Sequence, residues 1–369
     1  MKKHTNLFGY IKKTKNITFN EMPFNDVDSL AFATFSYILF DDIVGIDRPL
    51  ILYEAVSKVD KNKIAKNDFF ALTRYNLAVK MSKSKRYKDL LLNNYVNIID
   101  ETIETQFSAI TIILEDFDYV AFRGTDETVI GWKEDFNMSF MSPIPAQNLA
   151  KDYINRRKTS KPFYVGGHSK GGNLSIYAAS MCNRYLQDKI INIYSFDGPG
   201  FKKELLLSEG YNNIYNRIIS YVPKSSIIGM MLNYHNKYHI VESKTIGILQ
   251  HDTFSWKIDE NKFVLTDKLT SSSEKTNEAM HTWFYSLTDS ERENIVNIIF
   301  NIFIENNIKN FFEIKINLPN FLSLIESIKE IDEKSKENIM EIFRLMVDSG
   351  KEVITEAIKE KTVIGNLFN

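Results

Sequence analysis

Ser169 stands between Gly167 and Gly171 in the stretch FYVGGHSKGGNLSIYAA, residues 163–179. A serine that attacks a carbonyl must project from a tight strand-to-helix bend. Glycine two residues to either side answers that need, because a Cβ there would clash with the crossing backbone. Phe163 to Val165 is a short β-prone run, and Leu174, Tyr177, Ala178 and Met181 recur at helical spacing. The serine is therefore predicted at the apex of strand, turn and helix. The N–H of the next residue, Lys170, then lies at a helix N-terminus and can donate to a developing oxyanion. A glycine-rich βα turn of another α/β protein carries the same local signature, so Ser169 needs partners.

A hydroxyl is a poor nucleophile without a base, which is usually a histidine oriented by a carboxylate. In α/β hydrolases these follow the serine in the order acid, then histidine. The six histidines are His4, His168, His235, His239, His251 and His281. His168 precedes the serine, and its side chain is expected to turn away from the serine's side of the bend. His251, in GILQHDTFSW, falls on a loop beyond the last strands, among aromatic residues able to exclude water. It is the expected base, ahead of His239, His235 and His281. The expected acid is Asp197, at the carboxyl end of the strand after the serine's helix, where catalytic groups gather in parallel sheets. Asp197-Gly198-Pro199-Gly200 is also strong turn chemistry, and Asp252 beside His251 is the lesser alternative. Thr125 ends the strand preceding the 146–158 helix and is the expected second oxyanion donor, through its N–H and its hydroxyl. Loss of one such donor typically costs about 3 kcal/mol of transition-state stabilisation.

The elements that must hold these residues follow from periodicity. A buried helix is predicted over 27–40 behind a cap at Asn25 or Asp26, with further helices over 68–79 and 87–100. From Gln106 the period changes to strands at 107–114 and 119–122 around the turn 115–118. A helix over 146–158 opens at Pro145 and stops before Pro162. Strands follow at 163–165, 190–196, 217–222 and 238–243. Strands alternating with helices mean an α/β protein with a mostly parallel sheet covered on both faces. This gives a domain over 1–270, with an N-terminal helical region 1–104, and a C-terminal helical region 271–369. In the latter, helices are expected over 278–287, 291–306, 321–331 and 336–361, as a cap, a subdomain or an interaction module.

The chain has 369 residues, 44% hydrophobic and 25% charged, which suits a folded domain with a sizeable core. With 46 Lys and Arg against 47 Asp and Glu the net charge is −1, so no overall field points to nucleic acid. The lysines of 80–88 lack interleaved aromatics and read as a solvated surface. One cysteine, Cys182, excludes an intramolecular disulfide and fits a reducing compartment. No signal peptide or membrane-length apolar run is evident, so a cytoplasmic location is expected, with peripheral membrane contact compatible. No spacing of ligands points to a metal, and no phosphate-loop pattern points to an organic cofactor.

The segment 120–125, VAFRGT, followed by Gly131-Trp132 and Asp135, resembles the oxyanion-loop signature of class 3 (fungal-type) lipases. The resemblance implies that Thr125 is an oxyanion donor and that 126–136 occupies the position of the lid. Gly167-His168-Ser169-Lys170-Gly171-Gly172 looks like the lipase elbow, with lysine in place of the usual leucine. The chain is more similar still to an uncharacterised family of lipase-like α/β hydrolases of Gram-positive bacteria. It shares SLAFATFSY, GHSKGGNL, FDGPGF, VPKSSIIGMM and QHDTFSW across residues 7–290. One departure is plain. Class 3 lipases carry their acid after the strand equivalent to 217–222, where this chain has Pro223-Lys224-Ser225-Ser226. Either the acid has moved to Asp197, or the site is a Ser-His dyad, or it is inactive. Lys170 is expected to lay its stem on the surface with the amine in water, unless the cation selects an anionic substrate.

Together these imply an α/β-hydrolase-fold serine hydrolase that cleaves a carboxylic ester, acyl lipids included. Ser169, His251 and Asp197 form the triad, and the Lys170 and Thr125 N–H groups form the oxyanion hole. Trp132, Ile130, His168 and Met230 are candidate substrate contacts. Val129, Ile130 and Trp132, with Ile227, Ile228, Met230 and Met231, either cover an acyl site or are ordinary core. The rival readings are a degenerate hydrolase that binds an acyl or peptide ligand, and an acyltransferase using the same triad.

Overall fold

The computed structural model describes residues 4–64, 69–126, 128–158, 160–232 and 237–305. Its strands are β1 (Leu50–Ile51), β2 (Leu91–Asp100), β3 (Thr105–Ile113), β4 (Asp118–Phe122), β5 (Phe163–His168), β6 (Ile190–Phe196), β7 (Ile218–Pro223) and β8 (His239–Val241). A two-stranded hairpin of β9 (Ile258–Asp259) and β10 (Lys262–Phe263) follows, and then β11 (Leu265–Thr266). Among the described residues, β1 to β8 and β11 form one sheet in that spatial order. The central run β4 to β8 is parallel. Antiparallel neighbours extend it at both ends, β3, β2 and β1 on one side and β11 on the other.

Alternation along the strands sorts side chains into two cores. Tyr119 and Ala121 of β4 join Tyr194 and Phe196 of β6 on one face, while Val120, Phe122 and Ile193 point to the other. The first face is covered by α1 (Leu7–Thr14), α2 (Asp26–Phe35), α3 (Leu52–Lys58) and α4 (Phe69–Ser82). The second is covered chiefly by α6 (Pro145–Asn155) and α7 (Lys170–Met181), with α8 (Arg184–Gln187), α9 (Lys203–Leu206) and α10 (Glu209–Ile214). Helices on both faces of a sheet with a parallel centre, and a bend after β5, make this an α/β-hydrolase fold. α5 (Val129–Asn137) lies between β4 and α6 in sequence and packs on α12 (Asp289–Glu305), which follows α11 (Ser271–Ser286).

α2 starts where its sequence says it should. Asn25 accepts from the Val27 and Asp28 amides, and Asp28 takes the Asn25 amide in return, which closes a capping box. The helix ends at Phe35, short of the expected residue 40.

One expected helix is a strand. Residues 87–100 carry apolar side chains that fit either period, and the segment instead forms β2, paired with β3 from Leu91↔Ile113 to Asp100↔Thr105. A register irregularity between Asn93 and Val96, with Asn94 at φ 54°, absorbs the mismatch that obscures the alternation. The N-terminal region 1–104 is therefore a helical layer plus two strands of the sheet. In the C-terminal region α11 and α12 are present, whereas the helices expected over 321–331 and 336–361 lie outside the described residues. No helix among the described residues is long and apolar enough to cross a membrane.

Candidate active site

The bend after β5 is forced by crowding. A Cβ on Gly167 would sit 2.3 Å from the Gly171 carbonyl carbon, and one on Gly171 would sit 2.2 Å from the Phe122 oxygen. Ser169 between them takes φ 58° and ψ −131°, a conformation that side chains rarely adopt, and its amide donates to the Phe196 oxygen at 2.9 Å. Strain of this kind persists only where neighbours over-determine it. Ser169 remains partly exposed. Lys170 is the first residue of α7, so the helix itself offers its N–H no acceptor.

His251 and Asp197 meet across a wide sequence gap. His251 Nδ1 donates to Asp197 Oδ2 at 2.6 Å, with Asp197 1% exposed and the imidazole 26% exposed. That bond leaves His251 Nε2 as the free acceptor nitrogen. Asp197 stands at the end of β6 at φ 50°, and its amide donates to the Tyr221 oxygen at 2.7 Å. Its other oxygen accepts from Ser226 Oγ at 2.5 Å and from the Gly229 amide at 3.2 Å. Gly229 is required by proximity, since a Cβ there would lie 2.3 Å from Asp197 Oδ1. The segment after β7, which lacks a carboxylate, thus serves the carboxylate of β6.

The loop bearing His251 is tied down on both sides. Gln250 accepts from the Ser225 amide at 3.0 Å and donates to the Thr245 oxygen at 2.8 Å. The buried Trp256 indole donates to the Gln250 oxygen at 2.8 Å. His168 holds the third side. Its Nε2 donates to the His251 carbonyl at 2.9 Å, so its Nδ1 must accept from the Tyr37 hydroxyl at 3.0 Å. Burial pushes His168 well below its usual 6.5, and the neighbouring His251 pushes the same way, so the ring is held neutral. The rings of His168 and His251 are 4.5 Å apart. Tyr37 in turn carries the Arg74 guanidinium 3.8 Å above its ring.

On the other flank of Ser169 lies a second polar cluster. Lys170 is buried, and its amine donates to Glu134 Oε2 and to the Gln106 oxygen, each at 2.9 Å. The expectation of an amine in water is corrected here, because the stem points inward under α5 rather than along the surface. Glu134 also accepts from Thr105 Oγ1 at 2.6 Å, the Gln106 amide at 3.0 Å and the Ala146 amide at 2.9 Å. Its neighbour Asp135 accepts from the Thr125 hydroxyl at 2.5 Å. Burial raises Asp135 to about 6, although the Lys170 cation and the Thr125 bond pull the other way. The Thr125 hydroxyl proton is therefore directed at Asp135, which leaves the N–H as the donor this residue can offer an oxyanion.

Sequence order brought Ser169, His251, Asp197, Lys170 and Thr125 together, and the fold gathers them at one end of the parallel strands. The other candidates divide. His239 is exposed on β8 beside Tyr221, His281 is exposed on α11, and His235 lies outside the described residues. Both ring nitrogens of His168, a candidate substrate contact, are taken by protein partners. Trp132 packs with Val129 against Val296 and Phe300 of α12, which is core rather than acyl cover. Ile130 and Met230 are half-buried. Tyr37, Glu134, Ser226 and Gly229 went unnoticed as site residues, since nothing in their local sequence shows that distant segments converge on them.

Residues 81–301 match the Mbeg1-like family model. The chain belongs to the Mbeg1-like family. Among solved structures, this Mbeg1-like chain is similar to M37 lipase, with 18% identity over 56% of this chain and 69% of that one, at a TM-score of 0.32. Lipase II from Rhizopus niveus shares 12% identity over 72% and 90% of the two chains, with a TM-score of 0.37. The Rhizomucor miehei lipase propeptide complex shares 12% over 67% and 75%, with a TM-score of 0.34. No relative among curated proteins matches the chain.

Proposed function

We propose that this Mbeg1-like protein is a serine hydrolase that cleaves a carboxylic ester through an acyl-enzyme intermediate. The reading rests on one observation above the rest. A buried carboxylate fixes the Nδ1–H tautomer of a partly exposed imidazole, Asp197 to His251 at 2.6 Å, and Ser169 stands on a strained bend at the end of β5, the strand paired with β6.

Ser169 Oγ attacks the ester carbonyl while His251 Nε2 takes its proton. Asp197 holds the imidazole and stabilises the imidazolium that forms. The Lys170 and Thr125 N–H groups receive the negative charge on the carbonyl oxygen. Collapse breaks the ester C–O bond, the alkoxide leaves with the proton from His251, and the acyl group stays on Oγ. Water, activated by the same imidazole, then releases the acid and restores the serine. Ile130 and Met230, half-buried near the oxyanion loop and the Asp197 turn, are the apolar contacts offered to an acyl chain.

Labelling by a fluorophosphonate probe, together with hydrolysis of p-nitrophenyl butyrate, tests the reading. Both should be present in the native protein and lost in Ser169→Ala. Labelling that survives the substitution, or that is absent from the native protein, sinks it.

A further inference from the structure

Helix α5 follows the oxyanion residue Thr125, where a lid is expected, yet it is held both toward the body of the protein and toward α12. Toward the body of the protein, Glu134 is fully buried in its four-partner cage with Lys170, and Asp135 takes the Thr125 hydroxyl. Lys133, also buried, donates to Glu104 Oε1 at 2.7 Å, and Asn137 donates to the other Glu104 oxygen at 3.2 Å. Toward the outside, Val129, Trp132 and Phe136 pack on Val296 and Phe300 of α12. The turn that leaves α5 is pinned as well. Arg292 of α12 donates to the Ser139 oxygen at 2.6 Å, and Lys202 bridges the Phe140 oxygen at 2.9 Å and Asp289 at 2.7 Å.

A lid that opens on a lipid surface must release its polar anchors and turn an apolar face to the lipid. Here release would strand the Lys170 cation beside a vacated Glu134 cage in a buried site, an arrangement that proteins avoid. The apolar face is covered by the chain's own last described helix. No such movement is needed, because Ser169 is partly exposed and the His251 ring 26% exposed with α5 in place.

From this we infer that α5 is a fixed wall and not a lid, so the substrate is an ester taken singly from solution rather than from a lipid aggregate. The inference rests on the hydrolase reading above. Lys170, the departure from the usual elbow sequence, is the residue that fastens the wall to the nucleophile helix.

The test is the rate of vinyl butyrate hydrolysis by the full chain, followed across the solubility limit of the ester. The expected curve is hyperbolic below the limit and stays within about twofold of that hyperbola above it. Hydrogen exchange of the 129–137 amides should be unchanged by detergent micelles. A rise of about tenfold or more at the limit, or loss of protection in micelles, overturns the fixed wall while leaving the hydrolase reading intact. If Ser169 takes no phosphonate label under any of these conditions, the hydrolase reading itself has failed.

Discussion

Asp28 and Asp197 are both buried carboxylates, and they end on opposite kinds of partner. Asp28 of α2 is fully enclosed by Arg86, through Nε at 2.9 Å and a second nitrogen at 2.5 Å, by the Tyr10 and Tyr87 hydroxyls, and by the Asn25 amide. Every lone pair is met by a group whose charge does not change near neutral pH. Asp197 is enclosed by Ser226 and Gly229 on one oxygen, but its other oxygen holds an imidazole that can gain and lose a proton. The first arrangement ties α1, α2 and the 84–87 turn to one another within the helical layer. The second leaves the partly exposed ring with one nitrogen uncommitted, on a backbone strained at both Asp197 and Ser169. A carboxylate saturated by Arg86 and neutral donors is a structural anchor, whereas one that holds an imidazole with a nitrogen left over has the arrangement the proposed triad requires.

Substitutions can break this contrast. Ser169→Ala should lower ester hydrolysis by about a million-fold. Its urea midpoint should stay near that of the native protein, since the hydroxyl anchors nothing in the fold. Asp197→Asn should lower kcat by about ten-thousand-fold, because the amide favours the wrong imidazole tautomer. Equal loss on Asp28→Asn would erase the distinction drawn here. Asp28→Ala should instead cost about 3–5 kcal/mol of stability by leaving the Arg86 cation buried and unpaired, with activity retained in whatever fraction folds. Urea unfolding alongside active-site titration separates the two outcomes.

Smaller effects sharpen it. His168 is held neutral well below 6.5 by burial. As pH falls through 6.5 the unfolded chain binds a proton that the folded chain refuses, so stability falls with it. Comparing urea unfolding at pH 5 and pH 7.5 should show this loss, and His168→Gln should reduce it. Asp135 works in the opposite sense, since its folded value is raised to about 6. It favours the folded state below the ordinary carboxylate value and loses that contribution as pH rises through 6. The smallest effect belongs to His239→Ala, on an exposed side chain of β8, for which kcat/KM should not change; a large loss there would move the base away from His251.

What could be read in the chain, and what could not, divides by distance along it. The bend at Ser169 was legible because glycine spacing is a local steric requirement. The cap of α2 at Asn25 and the strands at 119–122 and 190–196 were legible for the same reason, each being signalled within a few residues. Residues 91–100 were misread because their apolar pattern suits two periods, and pairing with β3 decides between them. Lys170 was misplaced because a lysine looks solvated until Glu134, 36 residues earlier, is folded over it.

The sequence by itself therefore determined the class of fold, the strand-to-helix bend that carries Ser169 and the chain order of the candidate residues that follow it. Tertiary structure alone decided which carboxylate faces His251 from 54 residues away and that Tyr37 steadies His168 across 131. It also decided that α5 is fastened from both sides. Local sterics are written in neighbouring residues, whereas hydrogen bonds between distant segments exist only once the sheet has set their register and burial has removed competing water.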